Sequence, residues 1–134
     1  MKKINFQKIA KDVLTSEINS LIKLRKNINK SFDAAVSAII NCKNGKVIVS
    51  GVGKSGLIAR KIASTLSSVG TSSFYVDAAS CSHGDLGQIS SNDVLILISN
   101  SGETHELKNI IQHANRNKKI TLIGIVSKKK FITL

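Results

Sequence analysis

The sequence predicts an α/β fold, a three-layer α/β/α arrangement around a doubly wound parallel sheet. Three observations lead there. From residue 46 onward, short apolar runs of strand length alternate with stretches of helical apolar spacing. Two of those runs, Val47-Ile48-Val49 and Val94-Leu95-Ile96-Leu97-Ile98, lead into glycine and small hydroxyl residues and then into a helical pattern. The chain has 134 residues, enough for one domain with a modest core. With 42% hydrophobic and 4% aromatic residues, and neither Trp nor Pro, that core has to be built from Ile, Leu, Val and Ala.

Each element follows from its pattern. Phe6, Ile9, Ala10, Val13, Leu14, Ile18, Leu21 and Ile22 share helical spacing and predict a helix from Phe6 to Leu24. Ser31 is the expected cap of a second helix carrying Phe32, Ala35, Val36, Ile39 and Ile40. Asn44-Gly45 reads as a turn, so residues 1–45 form an N-terminal helical segment ahead of a sheet domain at 46–134. Val47 to Val49 is the first strand. Leu57, Ile58, Ile62, Ala63, Leu66 and Val69 line one face of a helix that Gly70 ends. Phe74-Tyr75-Val76 is the second strand, and Asp77 to Gly87 a polar loop. The third strand, Val94 to Ile98, precedes a helix from Thr104 to Asn115 buried through Leu107, Ile110, Ile111 and Ala114. Ile120 to Val126 is the fourth strand. No covering helix follows it, so the sheet is expected to be incomplete at its C-terminus and to leave apolar surface open.

Composition narrows the function classes. The formal charge of +12 would suit a nucleic-acid binder if the lysines clustered with aromatics or in a known motif. Instead Lys2, Lys3, Lys8, Lys11, Lys23, Arg25, Lys26 and Lys30 spread along the helical segment, and Lys128-Lys129-Lys130 lie near the end. A solvated basic surface that attracts an anionic metabolite is the expectation, with no nucleic-acid partner. The apolar runs are too short to cross a bilayer, and the N-terminus lacks an apolar signal core, so a cytoplasmic protein without a membrane partner is expected. Cys42 and Cys81 fit reduced thiols in that compartment.

The chemistry concentrates in two strand-to-helix turns. Ser99-Asn100-Ser101-Gly102-Glu103-Thr104 follows the third strand, and Gly51-Val52-Gly53-Lys54-Ser55-Gly56 follows the first. Free amides at a helix start, a positive dipole end and nearby hydroxyls suit a phosphate. In a doubly wound sheet, ligands sit beyond the carboxyl ends of the strands, where both turns fall. Ser55, Ser99, Ser101 and Thr104 are the candidate phosphate donors. Other readings of the glycine turn exist. Gly51, Gly53 and Gly56 satisfy G-x-G-x-x-G, and Asp77 follows about twenty residues on, as in dinucleotide-binding turns. Lys54-Ser55 would crowd a pyrophosphate there. A P-loop fails because Ile48 stands where its first glycine belongs. A tight turn with no ligand is the remaining alternative.

Gly-Val-Gly-Lys-Ser-Gly at 51–56, Ser-His-Gly-Asp-Leu-Gly at 82–87 and Ser-Asn-Ser-Gly-Glu-Thr at 99–104 occur in that order. Together they resemble the sugar isomerase (SIS) domain, of flavodoxin-like fold, and within it most closely the arabinose-5-phosphate isomerase branch. The resemblance implies an aldose–ketose isomerase that interconverts D-arabinose 5-phosphate and D-ribulose 5-phosphate through an enediol. That reaction supplies the precursor of Kdo in lipopolysaccharide. It implies a phosphorylated sugar as ligand, no required cofactor, and a homo-oligomer, dimer or tetramer.

Residue roles carry over from the same resemblance. Lys54 matches a cationic residue near the substrate, His83 a substrate-contacting histidine, and Glu106 the catalytic glutamate. Gly70, Thr71, Gly102 and Glu103 fall among the substrate-binding positions. Asp77 stands where some members carry a metal-binding histidine, so a divalent ion such as zinc is an expectation there. Unaided, the residues also admit plainer roles: acids such as Glu103 and Glu106 are favoured at a helix start by the dipole alone. The stretch before His83 reads Ala78-Ala79-Ser80 where the family usually has a carboxylate. The resemblance covers the N-terminal part of such a domain. It implies that this chain is truncated after the fourth strand and lacks the CBS domain pair that often follows, so a sugar-phosphate-binding module without catalysis and a non-functional fragment are the alternatives to an active isomerase.

Overall fold

A computed structural model describes residues 4–127. The chain divides into two compact units, residues 1–34 and residues 35–134. In the first unit, helix α1 (Phe6–Asn27) starts at Asn5, whose side chain accepts the Lys8 amide at 3.0 Å. It runs past the expected end at Leu24 because Arg25 and Lys26 are good helix formers and suit the negative end of the dipole. None of its residues is buried. Helix α2 (Lys30–Ile40) is capped by Asn29 rather than Ser31. The Asn29 Oδ1 accepts the Ser31 amide at 2.8 Å, and its carbonyl accepts that of Phe32 at 2.9 Å. The division falls within α2 and not at residue 45, because Ala38, Ile39 and Cys42 pack against the core of the second unit.

The second unit is the sheet domain. Its elements are β1 (Val47–Gly51), α3 (Lys54–Ser68), β2 (Ser73–Tyr75), β3 (Val94–Ser99), α4 (Lys108–Arg116) and β4 (Thr121–Val126). All strand pairs are parallel, in the order β2-β1-β3-β4. Strand alternation sorts the side chains onto two faces. Val47, Val49, Val94, Ile96 and Ile98 pack with Ala59 and Ala63 of α3. Ile48, Leu95 and Leu97 pack with Leu107, Ile110, Ile111 and Ala114 on the α4 side. The three-layer, doubly wound parallel sheet expected from the sequence is therefore present. Strand β4 lies at an edge, with Gly124 and Ile125 exposed.

Two differences bear on the site. The polar loop after β2 contains two short 3-10 turns, Ser80–His83 and Asp85–Gln88. The helix expected from Thr104 begins later. Thr104 is extended (φ −64°, ψ 115°), a 3-10 turn covers His105–Leu107, and α4 starts at Lys108.

The N-terminal edge of the sheet is fastened by Asp93, which is 1% exposed. Its Oδ1 accepts the Lys46 amide at 2.8 Å and its Oδ2 the Ser90 amide at 2.7 Å, with Lys46 Nζ 3.5 Å away. Buried carboxylates require such partners. Gly45 has to be glycine, since a Cβ there would lie 2.1 Å from the Asn92 carbonyl oxygen. Residues 128–134, including Lys128-Lys129-Lys130, lie outside the described residues.

Candidate functional site

The sheet reverses its winding between β1 and β3. The connection from β1 leads to β2 on one side, and β3 then pairs on the other side of β1. Ligand crevices form at such a switch point, beyond the carboxyl ends of the strands. Gly51, the last residue of β1, pairs with Ile98 of β3, so the glycine turn and the serine turn leave the sheet side by side.

The glycine turn is shaped by contact distances. A Cβ on Gly51 would lie 2.9 Å from the Ser55 backbone, and one on Gly56 would lie 2.7 Å from the Gly51 carbonyl oxygen. Only glycine at both positions lets α3 start this close to β1. Gly53 has φ 58° and ψ −124°, a conformation that side-chain-bearing residues avoid. No side chain caps α3, and its first intrahelical bond runs from the Leu57 amide to the Gly53 carbonyl at 3.2 Å. The amides of Lys54, Ser55 and Gly56 thus precede the helical ladder, at the positive end of a fifteen-residue helix. Lys54 is exposed and Ser55 half-buried.

The serine turn is braced from inside. Ser99 is 2% exposed. Its hydroxyl lies 2.7 Å from that of Thr104 and accepts the Gly102 amide at 3.0 Å. Ser101 Oγ accepts the Glu103 amide at 3.1 Å, and Gly102 is left-handed at φ 76°. Ser99 and Thr104 therefore hold the loop closed, while Ser101 is half-buried and Glu103 exposed. Glu106 is exposed on the 3-10 turn that follows.

His83 ends the 3-10 turn after β2, exposed, with left-handed Gly84 (φ 114°) behind it. This loop is tied to α4 by Asn109, whose Nδ2 donates to Ser82 Oγ at 2.8 Å. Cys81 is buried beneath it. Burial first, then the charges of Asp85 and Asp77, push its thiol up to about 11, so it stays protonated and is no nucleophile near neutrality.

Gly70 and Thr71 are not brought to the two turns within one chain. They lie between α3 and β2, with Val47 at the start of β1 opposite Ser73. Gly51 is about 13 Å further along the strand at roughly 3.3 Å per residue. Gly70 has φ 91° and terminates α3, its amide reaching the Ser67 carbonyl at 3.1 Å.

Asp77 does not fit a metal. Its Oδ1 accepts the Ala79 amide at 2.9 Å and that of Ser80 at 3.4 Å, and its Oδ2 lies 3.3 Å from the Tyr75 hydroxyl and 4.0 Å from Arg60. No group of three or more His, Cys, Asp or Glu that could hold an ion gathers among the described residues. Sequence reasoning missed the partners Tyr75 and Arg60. Tyr75 was legible only as a strand residue, although it is the only tyrosine of the chain.

The class of the protein is thus a doubly wound α/β domain with two amide-and-hydroxyl turns side by side at its switch point. The SIS domain family matches residues 39–132, and the chain belongs to that family. Among curated relatives, arabinose 5-phosphate isomerase KdsD of Escherichia coli K12 is 47% identical over 107 residues, covering 80% of this chain and 32% of that protein. Uncharacterized protein RP505 of Rickettsia prowazekii is 45% identical over 125 residues, covering 93% of this chain and 39% of that one. The chain thus spans 32–39% of the length of these relatives. An E. coli CFT073 protein solved in complex with arabinose 5-phosphate superposes with a TM-score of 0.83 at 34% identity, covering 96% of this chain and 69% of that one. The family includes sugar-phosphate isomerases. Among the described residues, no helix is long and apolar enough to cross a membrane.

Proposed function

We propose that this chain is the substrate-anchoring part of an arabinose-5-phosphate isomerase. The observation that carries the reading is the pairing of Gly51 with Ile98, which sets two donor-bearing turns side by side at the switch point. The likeness to KdsD and to a neighbour solved with arabinose 5-phosphate supports the same sugar phosphate here. The phosphate is held by the first amides of α3 with the Ser55 and Ser101 hydroxyls, inside the positive field of Lys54. Glu106 moves the proton between C2 and C1 of the open-chain sugar, Lys54 offsets the charge that develops on the carbonyl oxygen, and His83 contacts the sugar hydroxyls. The product supplies Kdo synthesis in the cytoplasm. Exposed Ile9, Val13, Leu14 and Ile18 on α1, with Leu57 and Ile58 on α3, favour a homo-oligomer, which sedimentation of the purified chain tests.

A coupled isomerase assay with Glu106→Gln as control tests the catalytic part. Loss of about 100-fold or more in the variant is expected, as for removal of a general base. Equal activity in both chains refutes Glu106 as the base. A second reading, binding without isomerisation, is favoured by the exposure of Lys54, His83 and Glu106 together, since isomerase chemistry needs water kept out. Calorimetric heat with arabinose 5-phosphate but no turnover supports that reading; no heat at millimolar ligand ends both.

A further inference from the structure

The glycine turn is held from the side by residues that none of its own motifs contains. Tyr75, on β2 next to β1, points its hydroxyl at the carbonyl oxygen of Gly51, 3.2 Å away. The same hydroxyl lies 3.2 Å from where a Cβ on Gly56 would stand, so it abuts both ends of the turn 51–56. Arg60 of α3 lays its guanidinium 4.0 Å from the centre of the Tyr75 ring. Asp77, just past the end of β2, places Oδ2 within 3.3 Å of the hydroxyl and 4.0 Å of the guanidinium. Tyr75 packs in the core face below α3, a place a phenylalanine would fill equally well. The hydroxyl is the part that packing does not explain, and a half-buried phenol seeks an acceptor.

We infer that Tyr75 is a positioning residue for the ligand turn, with Asp77 and Arg60 orienting it. Its single hydroxyl proton is shared between the Gly51 carbonyl and Asp77 Oδ2, and the share given to Gly51 ties the end of β1 to β2 just where the chain must turn sharply into α3. Arg60 stacks on the ring from the helix that the turn opens, so strand, turn and helix are clamped together around one side chain. The clamp fixes the direction in which the Lys54, Ser55 and Gly56 amides face. For binding, the inference rests on the proposed phosphate site; for the geometry of the turn it does not.

The test uses the whole chain and two variants, Tyr75→Phe and Arg60→Gln. Hydrogen exchange is first measured without ligand. In Tyr75→Phe the amides of residues 57–59, the first to bond within α3, are expected to exchange about tenfold faster, while those of Leu95, Ile96 and Leu97 in β3 keep their rates and the Tm moves little. Arg60→Gln is expected to show the same local pattern, more weakly. Arabinose 5-phosphate is then titrated, and binding about 3- to 10-fold weaker is expected in Tyr75→Phe, the loss of one hydrogen bond's influence. Unchanged exchange at 57–59, or exchange raised uniformly with a fall in Tm, overturns the inference. Unchanged affinity beside faster local exchange overturns the binding half. A wild-type chain that ignores the sugar phosphate, while Tyr75→Phe still loosens the turn, refutes the proposed substrate and leaves the anchorage standing.

Discussion

Replacing Gly56 by alanine should disturb stability and the ligand turn together. The new Cβ would stand 2.7 Å from the Gly51 carbonyl oxygen and 3.2 Å from the Tyr75 hydroxyl. The first is backbone and cannot swing aside, so the start of α3 must retreat from β1. Overpacking costs about 1–3 kcal/mol in general, and against fixed backbone at 2.7 Å the upper part of that range applies, about 2–3 kcal/mol. Alanine recovers up to about 1 kcal/mol of helix propensity over glycine. A net loss of about 1–2 kcal/mol remains, or a fall of roughly 3–8 °C in Tm for a domain of this size. Gly87→Ala is the control, because nothing lies within 4 Å of its Cβ direction. Thermal unfolding by circular dichroism, with titration of arabinose 5-phosphate, reads both effects. A Gly56→Ala chain as stable as wild type, with undiminished affinity, would refute the close approach of α3 to β1 as the shape-giving contact.

Removing the Asp93 carboxylate as Asp93→Ala leaves the Lys46 and Ser90 amides without their acceptor. A loss of about 3–5 kcal/mol is expected, read by urea unfolding, with no specific change in ligand affinity once folded. Ser99→Ala removes the brace to Thr104 and Gly102, and should weaken sugar-phosphate binding several-fold while lowering stability by about 1 kcal/mol, measured by calorimetry and melting. The Cys81 thiol has a folded value of about 11 against an ordinary 9.0, so the folded state prefers it protonated. Its contribution is complete below pH 9 and is lost as the pH rises toward 11. Melting curves across that window should fall less steeply for Cys81→Ala than for wild type, and Cys42 should alkylate before Cys81 at about pH 8.

The layered sheet was legible because Val47-Ile48-Val49 and Val94 to Ile98 are apolar at every position between segments of helical spacing. Both strand-to-helix turns were legible for the same reason, since glycine and hydroxyl residues directly behind a strand mark a tight turn. Harder to see was the local course of the chain at 104–107. Thr104 has the look of a helix start, but its hydroxyl is drawn back to Ser99, which holds its backbone extended and delays α4. The role of Ser99 was hidden likewise: a serine reads as a donor to ligand, and only its burial shows that it faces the loop. Gly70 and Thr71, placed among the substrate contacts by the resemblance alone, lie away from the two turns along the strand, because α3 carries the chain back to the other end of the sheet. Asp77 could be read as a ligand for a metal only so long as Tyr75 and Arg60, close in space through the β1–β2 pairing, were out of view.

The Asp93 staple and the two ligand turns sit at opposite ends of the same strands, about 20 Å apart along β3. One share of the folding strength is thereby held at the end remote from the proposed ligand turns. Substitutions in the upper loops leave the hydrogen bonds of this staple untouched. Engineering for robustness should accordingly begin underneath, around Lys46, Ser90 and Asp93, where gains need not blunt recognition.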